Sequence, residues 1–161
     1  MKIVLLFPAK AKPPAAQTLI DEYAKRIKSI GPCEIHYYKE ERVDNRNPSE
    51  VKANEAKKIN NFLKPNDYLV ACDERGTHID TDNLVAFTKN AILSQGKFIG
   101  KDRVIIIIGG ALGLSQTIRN QADVIWSLSG LVMAGSIARV VLSEAVYRAL
   151  TIIKGHPYHN A

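Results

Sequence analysis

Apolar and polar positions along this chain follow two rhythms in turn. Residues 2–7 (KIVLLF) form an apolar run closed by Pro8, which predicts a buried strand. Over 15–30, Leu19, Ile20, Tyr23, Ile27 and Ile30 recur at helical spacing while Lys25, Arg26 and Lys28 fall outside the stripe. Gly31-Pro32 ends that helix, and the alternating CEIHYYKE reads as a second strand. The polar stretch 39–50 is a loop whose N-P-S-E end opens a charged helix over 49–63, with Val51, Ile59, Phe62 and Leu63 inward. DYLVACDERG is a third strand running straight into a polar loop. A helix over 80–95, capped by an Asp or Thr, closes near Gly96. VIIIIGG at 104–110 is β-branched without alternation, the mark of a central parallel strand buried on both faces. A short helix over 115–123, the strand VIWSLS, and a long helix over 135–153 ending at Gly155 complete the chain.

Strand and helix alternate throughout, which predicts an α/β fold: a parallel sheet with helices on both faces. The 161 residues make one domain, 1–161, with no internal repeat or low-complexity stretch. No apolar run approaches membrane-spanning length, and MKIVLLF is too short for a signal-peptide core. A cytoplasmic protein without a membrane is expected. Cys33 and Cys72 lie far apart with no C-x-x-C, so free thiols are expected rather than a disulfide or zinc site. The formal charge of +6 suggests an anionic partner, nucleic acid first, although solubility alone accounts for such a charge on many proteins.

In open parallel sheets, ligands bind beyond the carboxyl ends of the strands. Three strands end here in small or polar residues: CDERG, GGALGLS and SLSGLVMAG. Gly109-Gly110-x-x-Gly113 has neither the dinucleotide G-x-G-x-x-G order nor the Lys-Ser/Thr of a P-loop. It is either a plain tight turn or, beside two similar loops, part of a ligand cradle. Ser136 lacks a nucleophile elbow, and His36, His78, His156 and His159 have no metal-binding spacing. Asp73 and Glu74 are adjacent, point to opposite faces of a strand, and make no acid–base pair. No metal ligand set is expected. The terminal HPYHNA offers Tyr158 for stacking on a base and His159 for proton exchange; alternatively, it packs on the surface.

Taken together, EYAKR (22–26), DERG (73–76), IGGxxGLS (108–115), WSLS (126–129), ARVVLSEAVYRALTI (138–152) and HPYH (156–159) resemble the RlmH family of SPOUT-class methyltransferases over essentially the whole chain. The resemblance implies a SPOUT fold whose carboxy-terminal part is tied in a trefoil knot, a homodimer, and S-adenosyl-L-methionine (SAM) as methyl donor. It implies methylation of a pseudouridine N3 in 23S rRNA, on the ribosome. By residue-level matching, the donor is held by Cys72, Gly109, Gly110, Leu128, Ser129, Gly130, Leu131, Val132, Met133 and Ala134, largely through backbone groups. The chain departs from the family at Val132-Met133-Ala134-Gly135, where Thr-Leu-Pro-His is usual, at Leu112 for an acidic residue, and at Asn160 for a basic one. Arg139, Tyr158 and His159 are the candidates for holding and activating the base, with Arg139 equally able to serve structure. Lys10, Lys12, Lys25, Arg26 and Lys28 are candidates for phosphate contact, and Glu144, Tyr147 and Arg148 for helix packing or the dimer interface. Two rival readings remain: a catalytically weak SPOUT relative that binds SAM and RNA or ribosomes, and an ordinary nucleotide-binding α/β enzyme.

Overall fold

The computed structural model describes residues 1–44 and 47–158. Strand β1 (Lys2–Pro8) is followed by α1 (Pro14–Ile30), β2 (Cys33–Tyr38) and α2 (Pro48–Phe62). Next come β3 (Asp67–His78), α3 (Thr81–Ile92) and a 3₁₀ turn at Gly96–Phe98. β4 (Arg103–Ile108), α4 (Gln116–Gln121), β5 (Val124–Ser127) and α5 (Gly135–Ile153) complete the order. The strands form one sheet in the order β2-β1-β4-β3-β5, and every pairing is parallel. The isoleucine-rich β4 is the middle strand, as its lack of alternation requires.

Successive side chains of a strand point to opposite faces, so each inner strand feeds two cores. Ile3, Leu5 and Phe7 of β1 join Val104 and Ile106 of β4 against α1, α3 and α5. Val4 and Leu6 join Ile105 and Ile107 against α2 and α4. The first face also buries Tyr68, Phe87, Phe98 and Trp126, whose rings meet edge to face at 4.6–6.0 Å between centroids. Asp80 is the cap of α3, accepting from the Asn83 amide, and Ser115 caps α4 through the Ile118 amide. Among the described residues no helix is long and apolar enough to cross a membrane.

Two local expectations are corrected. Leu19, assigned to the inner stripe of α1, is 48% exposed; Ala16, Ile20 and Ile27 carry the packing instead. DERG, read as the end of the third strand, does not end it: β3 runs on to His78. Cys72 and Thr77 both pair with Trp126, so residues 73–76 bulge out of the ladder and the strand then resumes. Gly76 permits this return, since a Cβ there would lie 2.7 Å from the Ile125 and Trp126 backbone.

Candidate active site

A cleft of about 540 Å³ opens at the carboxyl ends of the strands. Its walls are Cys72 and the bulge of β3, the glycine turn after β4, the loop after β5, the first turn of α5, and Lys10 and Lys12 after β1. Eight of the ten residues matched to donor binding therefore meet in one place: Cys72, Gly109, Gly110, Leu128, Ser129, Leu131, Val132 and Met133. Gly130 lines an adjoining hollow instead. Ala134 is exposed at the amino end of α5, where its carbonyl accepts from the Ile137 and Ala138 amides.

Each wall is held by local chemistry. Ser127 Oγ donates to the Ser129 carbonyl at 2.8 Å, and Ser129 Oγ accepts from the Leu131 amide at 2.9 Å, which folds the loop after β5 on itself. That leaves Leu131 and Val132 about four-fifths exposed, at 78% and 82%. Burial pushes the Cys72 thiol up to about 12, so at neutral pH it is an uncharged lining group and not a nucleophile. A Cβ on Gly109 would lie 2.6 Å from the Gly113 and Leu114 backbone, so the turn closes only around glycine.

Five charged side chains brace these walls. Asp73 accepts from Arg75 Nε (2.9 Å) and Nη2 (3.0 Å), and from Arg119 Nη1 at 3.3 Å. Arg119 also donates to the Leu114 carbonyl (2.6 Å) and to Gln116 Oε1 (2.8 Å), tying the β3 bulge to the glycine turn. The Arg75 hydrogen bonds hold the Asp73 carboxyl down at about 2, against burial, which opposes ionisation. Glu55, on α2, lies with its carboxylate where a Cβ of Gly110 would be, at 2.7–2.8 Å, and accepts from the Glu41 amide. Burial raises its pKa, the hydrogen bond from the Glu41 amide and the charge of Lys58 oppose the rise, and the charges of Glu40 and Glu41 add to it. Arg139 is 8% exposed. Its Nη1 donates to the Pro8 and Ala9 carbonyls (2.8 and 3.1 Å) and its Nε to the Gly135 carbonyl (3.0 Å). It thereby anchors the lysine loop at Ala9, which sits in the left-handed region at φ 36°.

Sequence reasoning missed Arg75, Arg119, Glu40 and Glu55 as parts of this site. Glu55 had a readable signal, because Val51, Glu55 and Ile59 are four apart and share the buried stripe of α2. Arg119 had none, since its partners are set by the fold.

The expected catalytic residues are not all brought together. Arg139 lines the cleft, but Tyr158 does not. The Tyr158 hydroxyl donates to Glu144 Oε1 at 3.2 Å and lies 3.5 Å from that of Tyr23; its ring packs edge-on to Tyr147, under the Arg148 guanidinium. The contact with Tyr23, partial burial and the charge of Glu144 all raise its pKa. His159 lies outside the described residues. Lys10 and Lys12 border the cleft, whereas Arg26 on α1 is paired with Glu22 and stacked near Tyr23 and Tyr147.

A parallel α/β sheet with three turns converging on a cleft of this volume has the form of a site for a small molecule of roughly nucleotide size at the strand ends. The family model described as "Predicted SPOUT methyltransferase" matches residues 1–159, and the chain belongs to that family of methyltransferases. It is similar to proteins named Ribosomal RNA large subunit methyltransferase H. That of Syntrophobacter fumaroxidans is 34% identical over 99% of this chain and 100% of the relative. That of Methylobacillus flagellatus is 37% identical over 99% of each. That of Nitrosospira multiformis is 39% identical over 87% of this chain and 86% of the relative.

Proposed function

We propose that this chain is a SAM-dependent methyltransferase of large-subunit ribosomal RNA, modifying N3 of a pseudouridine in 23S rRNA on the ribosome, in the cytoplasm. The observation that carries the reading is the cleft, built from the loops that the family resemblance assigns to the donor, in a chain to which relatives named Ribosomal RNA large subunit methyltransferase H align end to end. In this reading the carboxy-terminal loops are threaded as a trefoil knot and the working unit is a homodimer.

The lining suits the donor. Ile108, Cys72, Leu114 and Leu128 offer apolar contact for a purine, and the serine loop and the amino end of α5, which has no side-chain cap, offer backbone groups for polar atoms. When bound, SAM supplies an electrophilic methyl group. The protein's share is to place the acceptor nitrogen and favour its deprotonated form. Arg139 is suited to that role because three carbonyl contacts fix its Nη1 and Nε, while Nη2 donates to no protein acceptor among the described residues. Tyr158 and His159 reach a donor cleft by entering that of the second copy. Tyr158 in its own chain packs against α1 and α5, away from the cleft.

The test incubates the protein with tritiated SAM and ribosomes from cells lacking the modification. Label in 23S rRNA is expected. SAM binding without transfer would favour the second reading, a binder weakened by its departures at Leu112, Gly135 and Asn160. Titration showing affinity for ATP or NAD and none for SAM would overturn both.

A further inference from the structure

We propose that the β3 bulge, residues 73–76, carries a contact for the RNA backbone, with Arg75 as the side chain that takes a phosphodiester; this rests on the rRNA reading above. The bulge is a built feature. Strand pairing continues on both sides of it, through Cys72 and Thr77 opposite Trp126, and Gly76 admits no side chain against the β5 backbone. Its four residues are thus held out of the sheet at a fixed place on the rim.

Arg75 stands where two cavities meet. It lines the donor cleft and also a second hollow of about 510 Å³, formed with His78, Ser129 and Gly130 beside edge strand β5. Its side chain is 67% exposed, yet it is not loose: Nε and Nη2 lie on the two oxygens of Asp73. Asp73 is in turn held by Arg119, so the guanidinium plane is set before any ligand arrives. Nη1 donates to no protein acceptor among the described residues, and that edge of the fork is open to a planar or tetrahedral anion.

Two anions are within chemical reason, a carboxylate on the donor and a phosphate on the RNA. Glu74 decides between them. It lines both cavities, and neither arginine bonds to it. The formal charges of Asp73, Glu74, Arg75 and Arg119 cancel, so the bulge does not attract a free small anion strongly. It suits an anion whose chain is already held elsewhere, as a phosphate within a bound RNA strand is. Lys10 and Lys12 on the opposite rim supply the unneutralised charge that draws the strand in.

The experiment compares wild type, R75Q and R75K, using large ribosomal subunits from cells lacking the modification as substrate and SAM titrations in parallel. For R75Q, KM for subunits should rise about tenfold, well beyond the change in SAM affinity that follows from loosening Asp73. The slope of log(kcat/KM) against log salt should flatten by about 0.7–0.9, the loss of one phosphate contact. R75K should restore the slope, because it keeps the charge, but only part of KM, because it loses the fork. Weakened SAM affinity with unchanged KM for subunits would assign the anion to the donor and overturn the proposal. Unchanged values for both would reduce Arg75 to a brace for Asp73 and overturn it too. Failure of the wild-type protein to bind SAM or transfer label would instead remove the function itself.

Discussion

The donor cleft and the carboxy-terminal tail are assembled in different ways. The cleft draws on segments more than a hundred residues apart and is fixed within one chain: Arg139 reaches back to Pro8 and Ala9, and Asp73 joins Arg119. In the tail, Tyr158 packs against α1 and α5, where it meets Tyr23, Glu144 and Tyr147. One chain therefore completes a cleft of small-molecule size, with Tyr158 lying outside it.

The sharpest way to break this division is to remove residues 156–161. Methyl transfer should fall by more than about 100-fold, while SAM affinity by calorimetry stays within about twofold. Equal loss of both would mean that the tail supports the donor cleft of its own chain. Next in size is Gly109→Ala. Its Cβ meets backbone at 2.6 Å and cannot be relieved by a side-chain shift, so the glycine turn must move. SAM affinity should drop about tenfold, with a loss of about 1–3 kcal/mol in unfolding free energy; an unaltered titration would show that the turn is not part of the donor site.

Tyr158→Phe tests the tail more finely. It removes one hydroxyl that donates to a partly exposed carboxylate, so unfolding free energy should change by about 1 kcal/mol or less. Transfer should nevertheless fall several-fold if the hydroxyl serves the reaction. A drop in stability with full activity would make Tyr158 a packing residue alone.

The smallest effect is a pH dependence on the cleft side. Asp73 has a folded pKa near 2, below the unfolded value of about 3.9, so its contribution is complete above about pH 4 and is lost as pH falls toward 2. Between pH 5 and 8 it adds no slope. Glu55 runs the other way: burial raises its pKa, so the folded state holds the proton more tightly, and stability is lost as pH rises through the folded value. Glu55→Gln keeps an acceptor for the Glu41 amide and removes the charge. Its denaturation midpoint should therefore gain on wild type from pH 5 to pH 8; a constant gap would show that Glu55 does not titrate in this window.

Much of the architecture was legible in the chain because it follows from local periodicity. The apolar run at 104–108 identified the middle strand without any partner in view, and the glycine and serine turns marked the rim of the cleft. The end of β3 misled because the strand resumes after the polar DERG segment. What carries it on is the pairing of Thr77 and His78 with β5, some fifty residues later, and composition does not encode a partner. Leu19 misled because a helical stripe states which residues share a face, not how wide the buried part of that face is.

By itself, then, the sequence determined the alternation of strands and helices, the all-parallel sheet, and the family, since each rests on short-range pattern or on motif order. Only the tertiary structure decided that Asp73 braces two arginines, that Glu55 lies beneath Gly110, that Arg75 borders two cavities, and that Tyr158 sits apart from Arg139. Most of those relations depend on how separate elements meet, as where Arg119 reaches Asp73 across 46 residues. A linear pattern carries the propensity of each segment, while the register in which segments meet arises from the packing of all of them at once.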